Sequence, residues 1–119
     1  MTLHHVSLEV AAGDLADCVA FWELLGFESF ELPEEYADRV AWVHRQGTSI
    51  HLLVIDEDPV IPPAGHAAVI LDAYEETLDR LREEGFEPRP QTEFWGAARS
   101  YVRDPAGHTV EVMAAPPPI

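Results

Sequence analysis

The stretch LHHVSLEV at residues 3–10 is repeated, with substitutions, as HAAVILD at residues 66–72, and each copy begins one half of the chain. His66 follows His5 by 61 positions. In the first copy apolar and polar residues alternate, which predicts a strand with one apolar face. His5 lies on the other face with Ser7 and Glu9. Polar side chains on that face are unusual for a core and typical of a wet cavity.

The rest of each half follows the same plan. A helix-like run closes in Gly-Phe, first at Gly26 and then at Gly85, and each run leads to an apolar hairpin. The hairpins are WVHRQGTSIHLL at 42–53 and YVRDPAGHTVEVM at 101–113. A repeat at this spacing indicates a tandem duplication. The order predicted for each half is strand, helix and three strands.

Taken together, the two halves predict an α+β fold of tandem βαβββ modules. We expect one curved mixed sheet, a cup or open barrel, with the helices on its convex face. Module 1 is predicted at about 1–56 and module 2 at about 65–115, within one domain spanning 1–119. The proline-rich linker at about 57–64 is too short to separate independent domains.

Composition limits the function classes. The net charge is −15, and the seven basic residues are all arginine, so the surface repels nucleic acid and anionic lipid. No apolar run approaches the roughly 20 residues of a membrane helix, and no signal peptide is evident, so we expect a cytoplasmic protein. Cys18 is the single cysteine, which excludes an internal disulfide and a zinc finger.

The candidate metal ligands follow the repeat. His5 and His51 in the first half correspond to His66 and Glu111 in the second, and each lies on the strand face away from the predicted helix. Three imidazoles and one carboxylate suit a divalent transition metal, namely Zn, Ni, Fe, Co or Mn. His44 and His108 do not fit the register and are interpreted as surface residues.

The chain resembles the vicinal oxygen chelate superfamily, which includes glyoxalase I, extradiol dioxygenases and bleomycin-resistance proteins. The resemblance spans essentially the full length. The segments that carry it are LHHVSLEV at 3–10, FWELLGF at 21–27, GHAAVILD at 65–72 and WGAARSYVRDPAGHTVEV at 95–112. In that family the ligands come from the first and last strands of each module, which implies His5, His51, His66 and Glu111.

The resemblance implies a metal-dependent enzyme that chelates a small oxygen-bearing substrate and stabilises an enolate or oxyanion. A glyoxalase I-like lyase or isomerase is favoured, with Glu111 or a metal-bound water as the catalytic base, although the chain lacks an evident cationic cluster for the glutathione carboxylates. An Fe(II) extradiol dioxygenase would use His5, His66 and Glu111.

The alternative from another class is a metal-free bleomycin-resistance-like protein that sequesters a small cationic ligand. The resemblance also implies a homodimer, across which a site can draw on two chains. Further candidates for the substrate cavity are Ser7, Glu9, Trp95 and Arg99.

Overall fold

Each half of the chain folds into its own βαβββ unit. The structure is a computed structural model that describes all 119 residues. It divides into unit 1, Met1–Ile61, and unit 2, Pro62–Ile119. The division falls inside the linker predicted at about 57–64, where Pro62 and Pro63 remove backbone donors and interrupt regular structure.

Unit 1 contains one α-helix and four strands. Its elements are β1 (His5–Val10), α1 (Leu15–Leu24), β2 (Glu28–Phe30), β3 (Val40–Arg45) and β4 (Thr48–Val54), with short 3-10 turns at Ala12–Asp14 and Glu34–Tyr36. The sheet order is β1-β4-β3-β2. The crossover through α1 makes β1 parallel to β4, and the other strand pairs are antiparallel.

Helix α1 forms the core of unit 1 with the apolar side of the sheet, and it packs on β2, β3 and β4. Trp22 and Cys18 of α1 are fully buried, as are Val43 and Leu52 of the sheet. After the helix Gly26 takes a φ of 96°, a left-handed conformation that glycine adopts without a Cβ penalty. The Gly-Phe ending recognised in the sequence is therefore a helix stop.

Unit 2 repeats the arrangement. Its elements are β5 (Ala67–Ile70), α2 (Tyr74–Glu83), β6 (Arg89–Pro90), β7 (Arg99–Arg103) and β8 (Thr109–Met113), in the sheet order β5-β8-β7-β6. Leu78 and Leu81 of α2 are buried. The Tyr74 hydroxyl lies 2.7 Å from the Ser100 hydroxyl, which places the helix on the side of the sheet that carries Ser100.

The α+β prediction of tandem βαβββ modules is confirmed, with the strands forming two four-stranded mixed sheets. Helix α2 is preceded by Ala73, which makes no side-chain cap. Strand β6 is limited to Arg89–Pro90, because Pro90 has no N–H to extend the ladder.

The face of each sheet opposite its helix is called here the polar face. Residues paired across neighbouring strands project to the same side. On the polar face of unit 1, Ser7 of β1 is opposite His51 of β4, and His51 is opposite Trp42 of β3. In unit 2, Glu111 of β8 is opposite both Ala68 and Tyr101. No helix has the length and apolarity needed to span a membrane.

Candidate functional site

On the polar face of unit 2, His66 and Glu111 are in direct contact. Nε2 of His66 lies 3.0 Å from Oε1 of Glu111, and Nδ1 lies 2.8 Å from the carbonyl oxygen of Ala64. Both partners can only accept, so each ring nitrogen donates where it carries a hydrogen. The Ala64 hydrogen bond raises the pKa of His66, the Glu111 carboxylate raises it further, and partial burial opposes both.

Arg99 is the second side chain that contacts the Glu111 carboxylate. Its Nη1 donates to Oε2 of Glu111 at 3.1 Å, while its Nε donates to the carbonyl oxygen of Thr92 at 2.6 Å. The guanidinium also lies over the ring of Phe94, 4.7 Å from its centroid. Arg99 and Glu111 are each only 8% exposed. Each oxygen of the Glu111 carboxylate is therefore held by a different side chain, Oε1 by His66 and Oε2 by Arg99.

In unit 1, the two predicted ligands are stacked. The rings of His5 and His51 have centroids 3.9 Å apart at an interplanar angle of 13°. His4 joins them, with its Nδ1 3.0 Å from Nδ1 of His5. Nε2 of His51 is buried without a hydrogen-bond partner. Burial lowers the pKa of His51, and the neighbouring His5 and His4 lower it further.

The histidine stack continues into aromatic side chains that the sequence analysis did not assign to the site. Trp42 stacks on His51 with centroids 4.3 Å apart at 7°, and Phe30 follows 5.7 Å from Trp42. We call Phe30, Trp42, His51 and His5 the aromatic row. It crosses all four strands of unit 1 and ends at Phe30, which is 53% exposed. The sequence signal for it was the alternation of β3, which puts Trp42 on the polar face, and the strand register then sets Trp42 opposite His51.

The other candidates for the substrate cavity, apart from Arg99, lie in three separate places. Ser7 is exposed on β1 beside His51. Oε1 of Glu9 accepts a 2.8 Å hydrogen bond from the backbone N–H of Val60, so Glu9 ties the linker to β1. Trp95 donates from Nε1 to the carbonyl oxygen of Ala115 at 3.0 Å and thereby anchors the start of the C-terminal tail.

Of the two histidines interpreted as surface residues, one is buried. His108 is 4% exposed, because the turn that it ends closes on itself. Its backbone N–H donates to Oδ1 of Asp104, and the Asp104 N–H donates to its carbonyl. The surface interpretation is thus wrong for His108. His44 is half-buried and lies 6.2 Å from Phe30, ring to ring.

A cationic cluster that the sequence analysis did not find lies on the polar face of unit 2. Arg89, Arg103 and His66 line one cavity with Tyr101 and other residues. Arg89 pairs with Tyr101 across β6 and β7, whereas Arg103 is two residues further along β7. Two arginines and a histidine thus share one cavity, although the sequence showed no evident cationic cluster. The signal was the alternation Arg99, Tyr101, Arg103, which places all three on one face.

The predicted quartet is divided equally between the units. Unit 1 brings His5 and His51 together, and unit 2 brings His66 and Glu111 together. Neither unit by itself gathers three or more His, Cys, Asp or Glu side chains in an arrangement that could hold a metal ion. The donor types fit a transition metal, since each pair contributes imidazole nitrogen and unit 2 adds a carboxylate. The buried, unpartnered Nε2 of His51 is a donor atom that a metal would satisfy.

The repeated βαβββ units, with polar residues opposite each helix, define a fold of the vicinal oxygen chelate type. The family model of the Glyoxalase/Bleomycin resistance protein/Dioxygenase superfamily matches residues 2–112. The chain therefore belongs to this superfamily, as the sequence resemblance predicted. Among curated proteins, none matches the chain.

Solved structures agree with this assignment. A protein from Bacillus anthracis assigned to the glyoxalase family is 26% identical, with a TM-score of 0.81 over 95% of this chain and 93% of that one. The oxidase ChaP-H2 is 20% identical, with a TM-score of 0.78 over 99% and 96%. A lactoylglutathione lyase from Agrobacterium tumefaciens is 20% identical, with a TM-score of 0.71 over 94% and 92%. The last two likenesses concern the fold alone.

Proposed function

We propose that this protein is a divalent-metal-dependent enzyme of the superfamily that chelates a small oxygen-bearing substrate and stabilises an enolate or oxyanion, as a glyoxalase I-like lyase or isomerase. The residues that would hold the metal are His5 and His51 of unit 1 and His66 and Glu111 of unit 2. Each unit contributes one pair, and the two pairs belong either to one chain or to two copies in a homodimer.

The observation that carries the proposal is the hydrogen bond from Nδ1 of His66 to the carbonyl of Ala64. A carbonyl only accepts, so Nδ1 keeps its hydrogen and Nε2 is the nitrogen available to a metal. Histidine ligands in proteins commonly donate their other ring N–H to a carbonyl or carboxylate in this way. The same Nε2 is 3.0 Å from Oε1 of Glu111, so the two donor atoms already face each other.

Arg99 supports Glu111 in the ligand role. Its contact with Oε2 fixes the orientation of the carboxylate and leaves Oε1 as the coordinating oxygen. The 2.6 Å bond from Arg99 to the Thr92 carbonyl in turn holds the guanidinium in place. Ligating carboxylates are typically hydrogen-bonded by residues behind them, and their loss weakens metal affinity by about 10–100-fold.

When bound, the metal supplies a Lewis acid that polarises substrate oxygens and stabilises developing negative charge. The chain itself must move a proton in a lyase or isomerase reaction. We assign this transfer to Glu111, the one carboxylate among the strand residues of unit 2, whose Oε1 would accept the proton when it is not bound to the metal. His51 and Trp42 present a stacked ring surface on the polar face of unit 1.

The experiment is metal analysis of protein purified without chelator and reloaded with Zn, Ni, Fe, Co or Mn. We expect stoichiometric metal in the wild type and its loss in His66→Ala. His44→Ala is the matched control, because it removes a histidine outside the quartet and should retain metal. Metal-dependent loss of a hemithioacetal would then identify the lyase, whereas Fe(II)-dependent oxygen uptake with catechols would identify a dioxygenase. Equal metal contents in wild type and His66→Ala would overturn the proposal.

The aromatic row favours a second candidate, a metal-free protein that sequesters a small cationic ligand. Exposed Phe30 and half-buried Trp42 present ring surface in a chain of net charge −15. Aromatic faces attract cations by about 0.5–2 kcal/mol, and the acidic surface adds to the attraction. No metal in any preparation, together with cationic-ligand binding lost in Trp42→Ala, would support this candidate instead.

A further inference from the structure

The polar face of unit 2 contains a cavity of about 400 Å³ that does not coincide with the His66–Glu111 contact. His66 is at one side of it. The residues that supply its polar character are Arg89, Arg103, Tyr101, Thr109 and Gln91. A volume of this size is at the lower end of what small-molecule sites occupy.

The charge of this cavity is opposite to that of the protein. The chain has 22 acidic and 7 basic residues, yet no Asp or Glu lines the cavity. Two of the seven arginines of the chain line it. Of the other five arginines, three pair with a carboxylate: Arg39 with Asp56, Arg82 with Asp79 and Arg99 with Glu111.

Arg89 and Arg103 make no such ion pair. Both are exposed, on strands β6 and β7, and their guanidinium groups have no hydrogen-bond acceptor within the chain. Arg89 is opposite Tyr101, and Arg103 is opposite Thr109, so the two arginines flank a phenol and a hydroxyl on one face. Guanidinium forks and hydroxyl donors are the groups with which proteins bind carboxylate and phosphate.

We infer that this cavity binds the oxyanion group of the substrate, a carboxylate or a phosphate, and that Arg89 and Arg103 recognise it. The inference rests on the proposed function in taking that anion to be part of the substrate. Because His66 both lines the cavity and belongs to the proposed ligand set, an anion held there lies beside one of the metal ligands. The substrate class is accordingly a small anionic molecule.

The test measures binding of inorganic phosphate and, separately, of succinate by calorimetry, in protein dialysed free of metal and chelator. Arg89→Gln and Arg103→Gln are compared with wild type. Arg80→Gln is the matched control, because it removes the same charge from the exposed face of α2. All three positions are exposed, so the fold should survive, and thermal unfolding confirms it.

We expect Kd to rise by about tenfold or more in Arg89→Gln and Arg103→Gln, as loss of a charge-assisted contact implies, and to change by less than about twofold in Arg80→Gln. Preference for phosphate or for succinate separates a phosphate ester from a carboxylic acid. Absence of binding by both anions, or equal weakening in Arg80→Gln, would overturn the inference. Because no metal is present, failure of the metal proposal leaves this result unaffected, and metal uptake by Arg89→Gln tests the two independently.

Discussion

Nε2 of His66 lies 3.0 Å from Oε1 of Glu111, and the two residues are 45 positions apart in the sequence. The contact joins the residue before β5 to the middle of β8. These are the nitrogen and the oxygen that we propose bind the metal, so protonation of His66 and metal binding compete for the same nitrogen. Several properties of the protein depend on this competition.

Metal uptake should release a proton. The hydrogen bond to Ala64 and the Glu111 carboxylate raise the pKa of His66, so the imidazolium must lose its Nε2 proton before it can bind. Below that pKa we expect affinity to fall by about tenfold per pH unit. Calorimetry in buffers of different ionisation enthalpy measures the released proton. A pH-independent affinity from about pH 5 to pH 8 would contradict His66 as a ligand.

The stability of the metal-free protein should vary with pH through two histidines, and the two pH dependences should have opposite signs. The pKa of His66 is raised in the folded state, so its contribution is complete below the unfolded value of about 6.5 and is lost as the pH rises through the raised pKa. The pKa of His51 is lowered, chiefly by burial, so stability falls as the pH drops from about 6.5 towards that lowered pKa.

Urea unfolding at several pH values measures the two pH dependences of stability, and histidine NMR titration measures the two pKa values. His51→Gln should remove part of the stability loss on the acid side. His66→Gln should remove part of the loss at higher pH. If the pKa values of both rings lie on the same side of about 6.5, the assignment of a raised pKa to His66 and a lowered pKa to His51 is wrong.

Arg99→Met should destabilise the protein by about 2–3 kcal/mol, because it leaves the buried Glu111 carboxylate without one of its two partners. Glu111→Gln in the same background should recover part of this loss, since the unpaired charge is removed. Arg80→Met on the exposed face of α2 is the control and should cost less than about 0.5 kcal/mol. Additive effects of the two substitutions in a double-mutant cycle would contradict the pairing.

The hairpin between β3 and β4 gives a prediction about stability alone. Gln46 and Gly47 both have positive φ, 51° and 83°, as a type I′ turn requires. Asparagine is better suited to the first position, so Gln46→Asn should stabilise by about 0.5 kcal/mol. Gly47→Ala should destabilise by about 1 kcal/mol or more, because alanine is strained at positive φ. Thermal unfolding distinguishes the two, and a loss of stability in Gln46→Asn would contradict the turn assignment.

The sequence by itself determined the repeat, the order of elements and the face on which each candidate ligand lies. These follow from local rules, because strand alternation fixes sides and Gly26 fixes a helix stop whatever lies elsewhere in the chain. The bounds of the helices and of most strands follow the same patterns. The short β6 was harder to predict, since proline removes the donors that would otherwise extend it.

Only the tertiary structure decided which side chains touch. Arg99 meets Glu111, Trp42 stacks on His51, and Arg89 joins Arg103 in one cavity, through strand registers that bring distant positions together. His108 is buried because its turn closes on Asp104, which alternation does not reveal. Periodicity gives the direction of a side chain, whereas its partner depends on which strand lies beside it, and that is set by the packing of the whole sheet.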